Sequence, residues 1–155
     1  MHIKFNNLDG KIINHKHYYP IKIFYEDTDA GGIVYHSNYL KFFERARTSL
    51  LNLLKIDQVK LSQKHDIKLV VRKGDIIWHK PSKLNDTLLI ETCLKYAKNS
   101  SITLEQKAFI NNKNATDLSV TELKFCVLIV EVIKVTYLMM DLPQQEKGIV
   151  LILLV

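Results

Sequence analysis

The part of the chain best suited to chemistry is a run of carboxylates and glycines between residues 26 and 32. Glu26, Asp27 and Asp29 are followed directly by Gly31 and Gly32. Glycine permits left-handed backbone angles and lets a ligand come close to the chain. A carboxylate in such a bend can act as a nucleophile or as a general base. Asp29, where the glycines begin, is the candidate catalytic residue, while Glu26 and Asp27 are predicted to be structural.

The flanking sequence predicts a strand before this bend and a helix after it. Period-two alternation predicts the strand from about Tyr18 to Glu26. Helical spacing predicts a helix from about Asn38 to Lys55, with Ser37 as its N-cap. The apolar residues that carry this spacing are Leu40, Phe43, Ala46, Leu50 and Leu54. The amino end of the helix, with its free N–H groups and about half a positive charge, would therefore point back at the carboxylates.

A carboxylate beside unpaired backbone donors suits attack on an activated carbonyl, since the donors can hold a developing oxyanion. A thioester fits well because a thiolate is a good leaving group.

Two other kinds of site with similar residue spacing are rejected. A calcium loop would need an oxygen ligand at Gly31 and a glutamate at Asn38. An aspartyl-phosphate phosphatase needs a larger parallel-sheet domain. No metal-type spacing occurs, and we predict no metal and no cofactor.

The rest of the chain predicts an antiparallel sheet. Extended segments are expected at residues 67–72, 75–80, 87–97, 101–110 and 118–130, separated by turn-forming sequence. Residues 56–66 form a connection with room for a short helix. One long helix with hairpin-linked strands predicts an α+β domain whose sheet wraps around the helix. Such a sheet leaves one edge strand open, so pairing with a second copy is expected.

Length and composition predict one domain at residues 18–132, an irregular polar arm at residues 1–17 and an atypical apolar tail at residues 133–155. No apolar run reaches the roughly 20 residues that span a bilayer, and no secretory signal opens the sequence. Cys93 and Cys126 lie in strand-like runs without a CxxC pattern, which predicts buried thiols and a cytoplasmic location. The net charge of +6 is typical of a solvated surface or of attraction to anions. Basic blocks typical of nucleic-acid binding are lacking.

One continuous run and one short stretch resemble a known family. The run is Tyr25-Glu26-Asp27-Thr28-Asp29-Ala30-Gly31-Gly32-Ile33-Val34-Tyr35-His36-Ser37-Asn38-Tyr39, continued by Phe43-Glu44-Arg45-Ala46-Arg47, and the stretch is Val70-Val71-Arg72-Lys73. Both are similar to the YbgC-like acyl-CoA thioesterases, a branch of the 4-hydroxybenzoyl-CoA thioesterase group with the hotdog fold. The resemblance extends from about residue 20 to about residue 130.

The resemblance implies an enzyme of lipid metabolism that hydrolyses acyl-CoA to a free acid and coenzyme A. Asp29 would be the nucleophile or general base, and a backbone amide at or next to His36 would polarise the carbonyl. The His36 ring would orient water or assist the leaving sulfur, and Tyr25 would position the carboxylate. Arg72 and Lys73 suit the pantetheine or phosphates of coenzyme A. It is equally consistent with the sequence that Arg72 and Lys73 are surface charges at the end of a strand, with no role in binding.

Two other functions are compatible with a hotdog protein. One is a dehydratase or hydratase, which relies on a histidine with a different acidic partner. The other is a non-catalytic protein that binds acyl-CoA or acyl carrier protein without turnover. The expected partners are acyl-CoA, acyl carrier protein as a second candidate, and further copies in a homodimer or homotetramer. Residues predicted to line an acyl pocket, or else to belong to the core, are Tyr39, Phe43, Trp78 and Phe109.

Overall fold

A computed structural model describes residues 8–98, 101–111 and 121–130 of the chain. Its elements, in chain order, are β1 (Lys11–Ile13), β2 (Lys16–Lys22), a 3-10 turn (Tyr25–Asp27), α1 (Asn38–Leu53), α2 (Gln58–His65), β3 (Lys68–Trp78), β4 (Thr87–Lys98), β5 (Ser101–Ile110) and β6 (Thr121–Val130). The strands form one antiparallel sheet in the order β1-β2-β4-β5-β6-β3. No helix in these described ranges has the length and apolar character needed to cross a membrane.

Helix α1 packs against one face of the sheet, and Phe43 and Ala46 are buried as its spacing predicts. The prediction for Leu40 is wrong, because that side chain is 47% exposed while Tyr39 and Phe42 are buried. The core cluster contains Tyr39, Phe42, Phe43 and Ala46 from the helix, with Ile21, Leu88, Ile90, Leu104, Ala108, Leu123 and Val127 from the strands. Burial of apolar side chains at roughly 1.5–3 kcal/mol each makes this contact the main stabilising term. The predicted α+β arrangement is confirmed.

The amino-terminal part of the sheet differs from the sequence prediction. The irregular arm predicted over residues 1–17 is wrong in its last part, because β1 and the start of β2 form a hairpin there. Asn14 and His15 connect the strands with φ angles of 48° and 60°. Positive φ at both central positions is what a tight hairpin turn requires, and it is usually signalled by Asn-Gly. The predicted tail at residues 133–155 lies outside the described residues, so the three-part division stays a prediction.

Strand β2 also ends earlier than predicted. It stops at Lys22 rather than Glu26, and the chain then leaves the sheet through the 3-10 turn. The two extended segments predicted around residue 73 are one strand, β3. Its register against β6 shifts between Val71 and Lys73, which leaves Arg72 as the extra residue of a bulge. Bulges bend and twist a strand, and they are common at sheet edges.

A buried histidine holds the hairpin against the rest of the domain. The Nε2 atom of His17 lies 2.8 Å from the carbonyl oxygen of Asp9. Gly10 has a φ of +79°, and a Cβ atom there would lie 2.2 Å from the carbonyl oxygen of Tyr18. The side chain of Asn52 on α1 donates to the Asp9 carboxylate at 3.2 Å. The segment before β1 is therefore fixed to both the sheet and the helix.

Burial lowers the pKa of His17 below its ordinary value of 6.5. The folded state therefore favours neutral imidazole, whereas the unfolded chain takes up a proton as the pH falls through about 6.5. The free energy of unfolding should be highest above that pH and should decrease as the pH falls below it. Each unit of lowered pKa contributes about 1.4 kcal/mol to this loss. Thermal melts between about pH 7.5 and pH 5 will measure the slope.

The matched control is His17→Gln, whose amide can still donate to the Asp9 carbonyl but does not titrate. We expect its stability to change less with pH than that of the wild type over the same range. Equal slopes in the two proteins would contradict a titrating role for His17.

Candidate active site

Asp29 lies in a short closed loop that leaves its carboxylate exposed. Thr28 and Val34 form an isolated antiparallel bridge, and the Asp29 N–H donates to the carbonyl of Ile33 at 2.9 Å. Gly32, with a φ of +74°, donates its N–H to the Asp29 carbonyl at 3.0 Å. The Gly31 N–H donates to Oδ1 of the Asp29 carboxylate at 2.8 Å. The loop therefore orients the carboxylate through one oxygen and leaves the group accessible.

Asp27 has a different role from Asp29, because it ties the loop to the domain. Its Oδ2 atom accepts the Phe24 N–H at 2.9 Å. Its backbone carbonyl accepts both the Tyr35 N–H and the side-chain amide of Asn38, each at 2.9 Å. Asp27 and Asn38 are each only 6% exposed. One buried residue thus joins the entry to the loop, the exit from it and the start of α1, as expected for a structural aspartate.

The amino end of α1 follows directly from this loop. Ser37 is the N-cap residue as predicted, but its side chain makes no capping hydrogen bond, and Asn38 reaches back to the Asp27 carbonyl instead. The Asn38 N–H donates to the carbonyl of Tyr35 at 2.8 Å. Within the described part of the chain, the backbone N–H groups of His36 and Ser37 have no acceptor. These two donors lie where the helix dipole is positive.

A buried pair holds the loop against the connection between β3 and β4. The hydroxyls of Tyr39 and Ser82 lie 2.5 Å apart, and the Ser82 N–H donates to the Tyr39 hydroxyl at 3.2 Å. The Ser82 carbonyl accepts the Val34 N–H at 2.8 Å, and Ile33 bridges to Lys83. Ser82 is fully buried. Both sides of the Asp29 loop are therefore anchored, one by Asp27 and the other by Ser82.

Aromatic rings surround the entrance to the helix. The His36 imidazole lies 4.4 Å from the Tyr35 ring and 5.8 Å from the Trp78 ring, measured between centroids. The Trp78 indole N–H donates to the carbonyl oxygen of His36 at 3.2 Å. His36 and Trp78 are both exposed. The last residue of β3 thus contacts the segment just before α1.

The other predicted site residues, Tyr25, Arg72 and Lys73, are all exposed. Tyr25 is 82% exposed. Its backbone carbonyl accepts the Thr28 N–H and hydroxyl, whereas its phenol has no hydrogen bond within the described residues. Arg72 and Lys73 are exposed on β3, with the Lys73 Nζ 3.3 Å from the Asp75 carboxylate. At about 3.3 Å per residue, they lie roughly 17–20 Å along the strand from Trp78. The roles of all three residues stay predictions.

The sequence does not predict the buried contacts of Ser82 and Asn38 or the position of Trp78 beside His36. Ser82 lies in a polar turn after Pro81, and nothing in such a sequence signals a fully buried hydroxyl. Tyr39 and Phe43, two predicted pocket residues, are almost fully buried and belong to the core cluster. Among the described residues, no three His, Cys, Asp or Glu side chains come together as a metal site requires.

Replacing Tyr39 by Phe should loosen the loop anchorage. The variant keeps the buried ring but removes the hydroxyl that pairs with Ser82. Unpaired buried polar groups cost about 1–3 kcal/mol, so we expect the free energy of unfolding to fall by that amount. Urea unfolding of Tyr39→Phe will measure the change. Tyr96→Phe is the matched control, because Tyr96 is 62% exposed. A Tyr39→Phe variant as stable as this control would contradict the anchoring role.

Residues 31–115 match the family model of the thioesterase superfamily. Tyr25 and Asp29 lie just before that range. The acyl-CoA thioesterase YbgC of Haemophilus influenzae is 42% identical over 93 residues, which are 60% of this chain and 68% of that protein. The acyl-CoA thioester hydrolase YbgC of Escherichia coli O157:H7 is 36% identical over 109 residues, 70% of this chain and 80% of that protein.

Solved structures show the same fold. The 1,4-dihydroxy-2-naphthoyl-CoA thioesterase from Synechocystis has a TM-score of 0.68 and 16% identity, over 74% of this chain and 82% of that one. A mutant 4-hydroxybenzoyl CoA thioesterase complexed with 4-hydroxybenzoyl CoA has a TM-score of 0.70 and 15% identity, over 74% of this chain and 84% of that one. The hotdog prediction is confirmed.

Proposed function

This chain belongs to the thioesterase superfamily, as a YbgC-like member, and we propose that it hydrolyses the thioester of acyl-CoA with Asp29 as the reacting carboxylate. The observation that carries the proposal is the short loop between Asp29 and α1. It contains the exposed carboxylate of Asp29 and ends at the N–H groups of His36 and Ser37, which have no acceptor among the described residues. An activated carbonyl needs both groups, one for its carbon and one for its oxygen.

The proposed reaction begins with the thioester oxygen at the helix donors. Charge develops on that oxygen when the carbonyl carbon is attacked, and the positive end of α1 stabilises it. Asp29 either attacks the carbon itself, giving an acyl-enzyme anhydride that water then hydrolyses, or removes a proton from an attacking water. In both routes the carbon–sulfur bond breaks and coenzyme A leaves as a thiolate that takes up a proton. The exposed His36 ring is the proposed group for orienting that water or assisting the sulfur.

Three further side chains are proposed to contact the ligand outside the Asp29 loop, or to act together with a second subunit. They are Tyr25, Arg72 and Lys73. Tyr25 is tied to the loop backbone through Thr28 and has a free phenol in the described structure. Arg72 and Lys73, roughly 17–20 Å from Trp78 along β3, suit the phosphates of an elongated ligand such as coenzyme A. Acyl carrier protein is the alternative acyl donor that this positive surface would accept.

We propose that β3 pairs with a second copy of the chain, in a homodimer or a homotetramer. It lies at one end of the strand order, and only Leu69 and Ile76 among its residues are even partly buried. Val71 and Ile77 are 50% and 56% exposed. A strand edge with apolar side chains and no neighbouring strand within residues 8–98, 101–111 and 121–130 favours pairing with another chain.

We place the reaction in the cytoplasm, in keeping with the unpaired thiol of Cys93.

Asp29→Asn should remove most of the activity. Asparagine keeps the size of the side chain and can still accept the Gly31 N–H, but it neither attacks a carbonyl nor accepts a proton from water. We expect kcat on acyl-CoA to fall by roughly a hundredfold or more. A free-thiol assay against short-chain, long-chain and aromatic acyl-CoA will measure this and rank the substrates.

Asp66→Asn is the control for that substitution. Asp66 is exposed at the end of α2 with a φ of 53°, a conformation that asparagine also tolerates. Equal activity of Asp29→Asn and Asp66→Asn would contradict the assignment of Asp29. A folded wild type that binds acyl-CoA without turnover would instead support the non-catalytic binding function.

Ile77→Lys should weaken self-association. A charge on the open edge of β3 opposes pairing with an identical strand, since two like charges then approach each other. Size-exclusion chromatography with light scattering at several protein concentrations should show a larger monomer fraction than in the wild type. Val59→Lys, which replaces an exposed residue of α2, should leave the oligomer unchanged. A wild type that is monomeric at all concentrations would contradict the pairing.

A further inference from the structure

Trp78 makes a polar contact with the helix entrance that its sequence context does not predict. Its indole N–H donates to the His36 carbonyl oxygen at 3.2 Å. The two rings meet edge to face, with centroids 5.8 Å apart and planes at 85°. An indole can only donate, and this carbonyl is its acceptor among the described residues. Trp78 is therefore held in one orientation against the backbone between His36 and Ser37.

The acceptor of this bond belongs to the same peptide unit as one of the proposed oxyanion donors. The carbonyl of His36 and the N–H of Ser37 share a rigid plane and point in opposite directions. A hydrogen bond that fixes the carbonyl consequently fixes the direction of the N–H. Charge drawn toward the carbonyl oxygen also makes the N–H a stronger donor, since hydrogen bonds in a chain polarise one another.

We infer that Trp78 is a positioning residue that aims the Ser37 N–H at the thioester oxygen. This inference rests on the proposed function, because it assigns a part in that reaction. The inference concerns the Ser37 N–H, since the His36 N–H belongs to the preceding peptide unit. Trp78 ends β3, the strand proposed to pair with a second copy. That pairing would restrict the motion of the indole and thereby fix the direction of the Ser37 N–H.

The chain contains a single tryptophan, which allows a one-atom test. Expression with the tryptophan isostere that carries sulfur in place of the indole N–H changes residue 78 alone and keeps the ring shape. Loss of one neutral hydrogen bond is worth about 1 kcal/mol, or roughly fivefold in rate. We expect kcat on acyl-CoA to fall by about 5- to 20-fold, with KM within about twofold of the wild-type value.

The separate effects on kcat and KM distinguish a positioning role of Trp78 from direct contact with the acyl group. A positioning role lowers kcat, whereas loss of a binding contact raises KM. An unchanged kcat, or a loss confined to KM, would overturn the inference. Trp78→Phe keeps an aromatic edge toward His36 without a donor, so its kcat should fall at least as far as that of the isostere. Melting temperatures of the isostere protein and the wild type should agree within a few degrees. A kcat loss that simply followed a lower melting temperature would also count against the inference.

A readout without turnover distinguishes failure of this inference from failure of the proposed function. The amide resonance of Ser37 reports the polarisation of its N–H whether or not the protein hydrolyses thioesters. It should shift in the isostere protein, while the amide resonance of Asp66 stays in place. Absence of turnover in the wild type would refute the proposed function, and an unmoved Ser37 resonance would refute the link from Trp78.

Discussion

The site depends on the backbone carbonyl of Asp27. This one oxygen accepts the N–H of Tyr35 and the side-chain amide of Asn38, both at 2.9 Å, in a place that is almost closed to water. Each bond contributes only about 1 kcal/mol, but losing a partner in a buried position costs about 1–3 kcal/mol. The carbonyl therefore closes the chain from residue 27 to residue 38. It ties together the two ends of the segment that contains Asp29, His36 and Ser37.

The helix that supplies those donors is held at three points along its length. Asn38 ties its start to Asp27, and Asn52 ties its last turn to Asp9. In the middle, the buried side chain of Gln106 on β5 donates to the Phe43 carbonyl at 3.1 Å and accepts from Arg47 at 2.9 Å. Preorganised donors are effective because they need no rearrangement when charge develops. A helix fixed against the sheet in this way suits an oxyanion site.

Much of the architecture could be predicted because it depends on local patterns. Helical spacing predicted α1 from Asn38, and the structure ends it at Leu53 rather than Lys55. Strand β5 has the predicted bounds. The alternation of apolar and polar residues does not predict the early end of β2. The 3-10 turn at residues 25–27 ends the strand, and it depends on the hydrogen bonds of Asp27. Its partners are Phe24, Tyr35 and Asn38. Local periodicity contains no information about those hydrogen bonds.

The site could be predicted only in part, for the same reason. The acidic loop and the helix entrance are adjacent in sequence, so their proximity follows from the chain itself. The contacts of Ser82 and Trp78 with this region cross more than 40 residues, which no motif reveals. The hairpin turn at Asn14 and His15 was missed because neither residue is a glycine.

A crystal structure with an acyl-CoA analogue, in which methylene replaces the thioester sulfur and the carbonyl is kept, will show where the reacting carbonyl binds. We expect the carbonyl oxygen within hydrogen-bond distance of the Ser37 or His36 N–H. We also expect the Asp29 carboxylate near the carbonyl carbon, directly or through one water. An analogue whose carbonyl lies away from the loop between Asp29 and α1 would contradict the assignment of this loop as the active site.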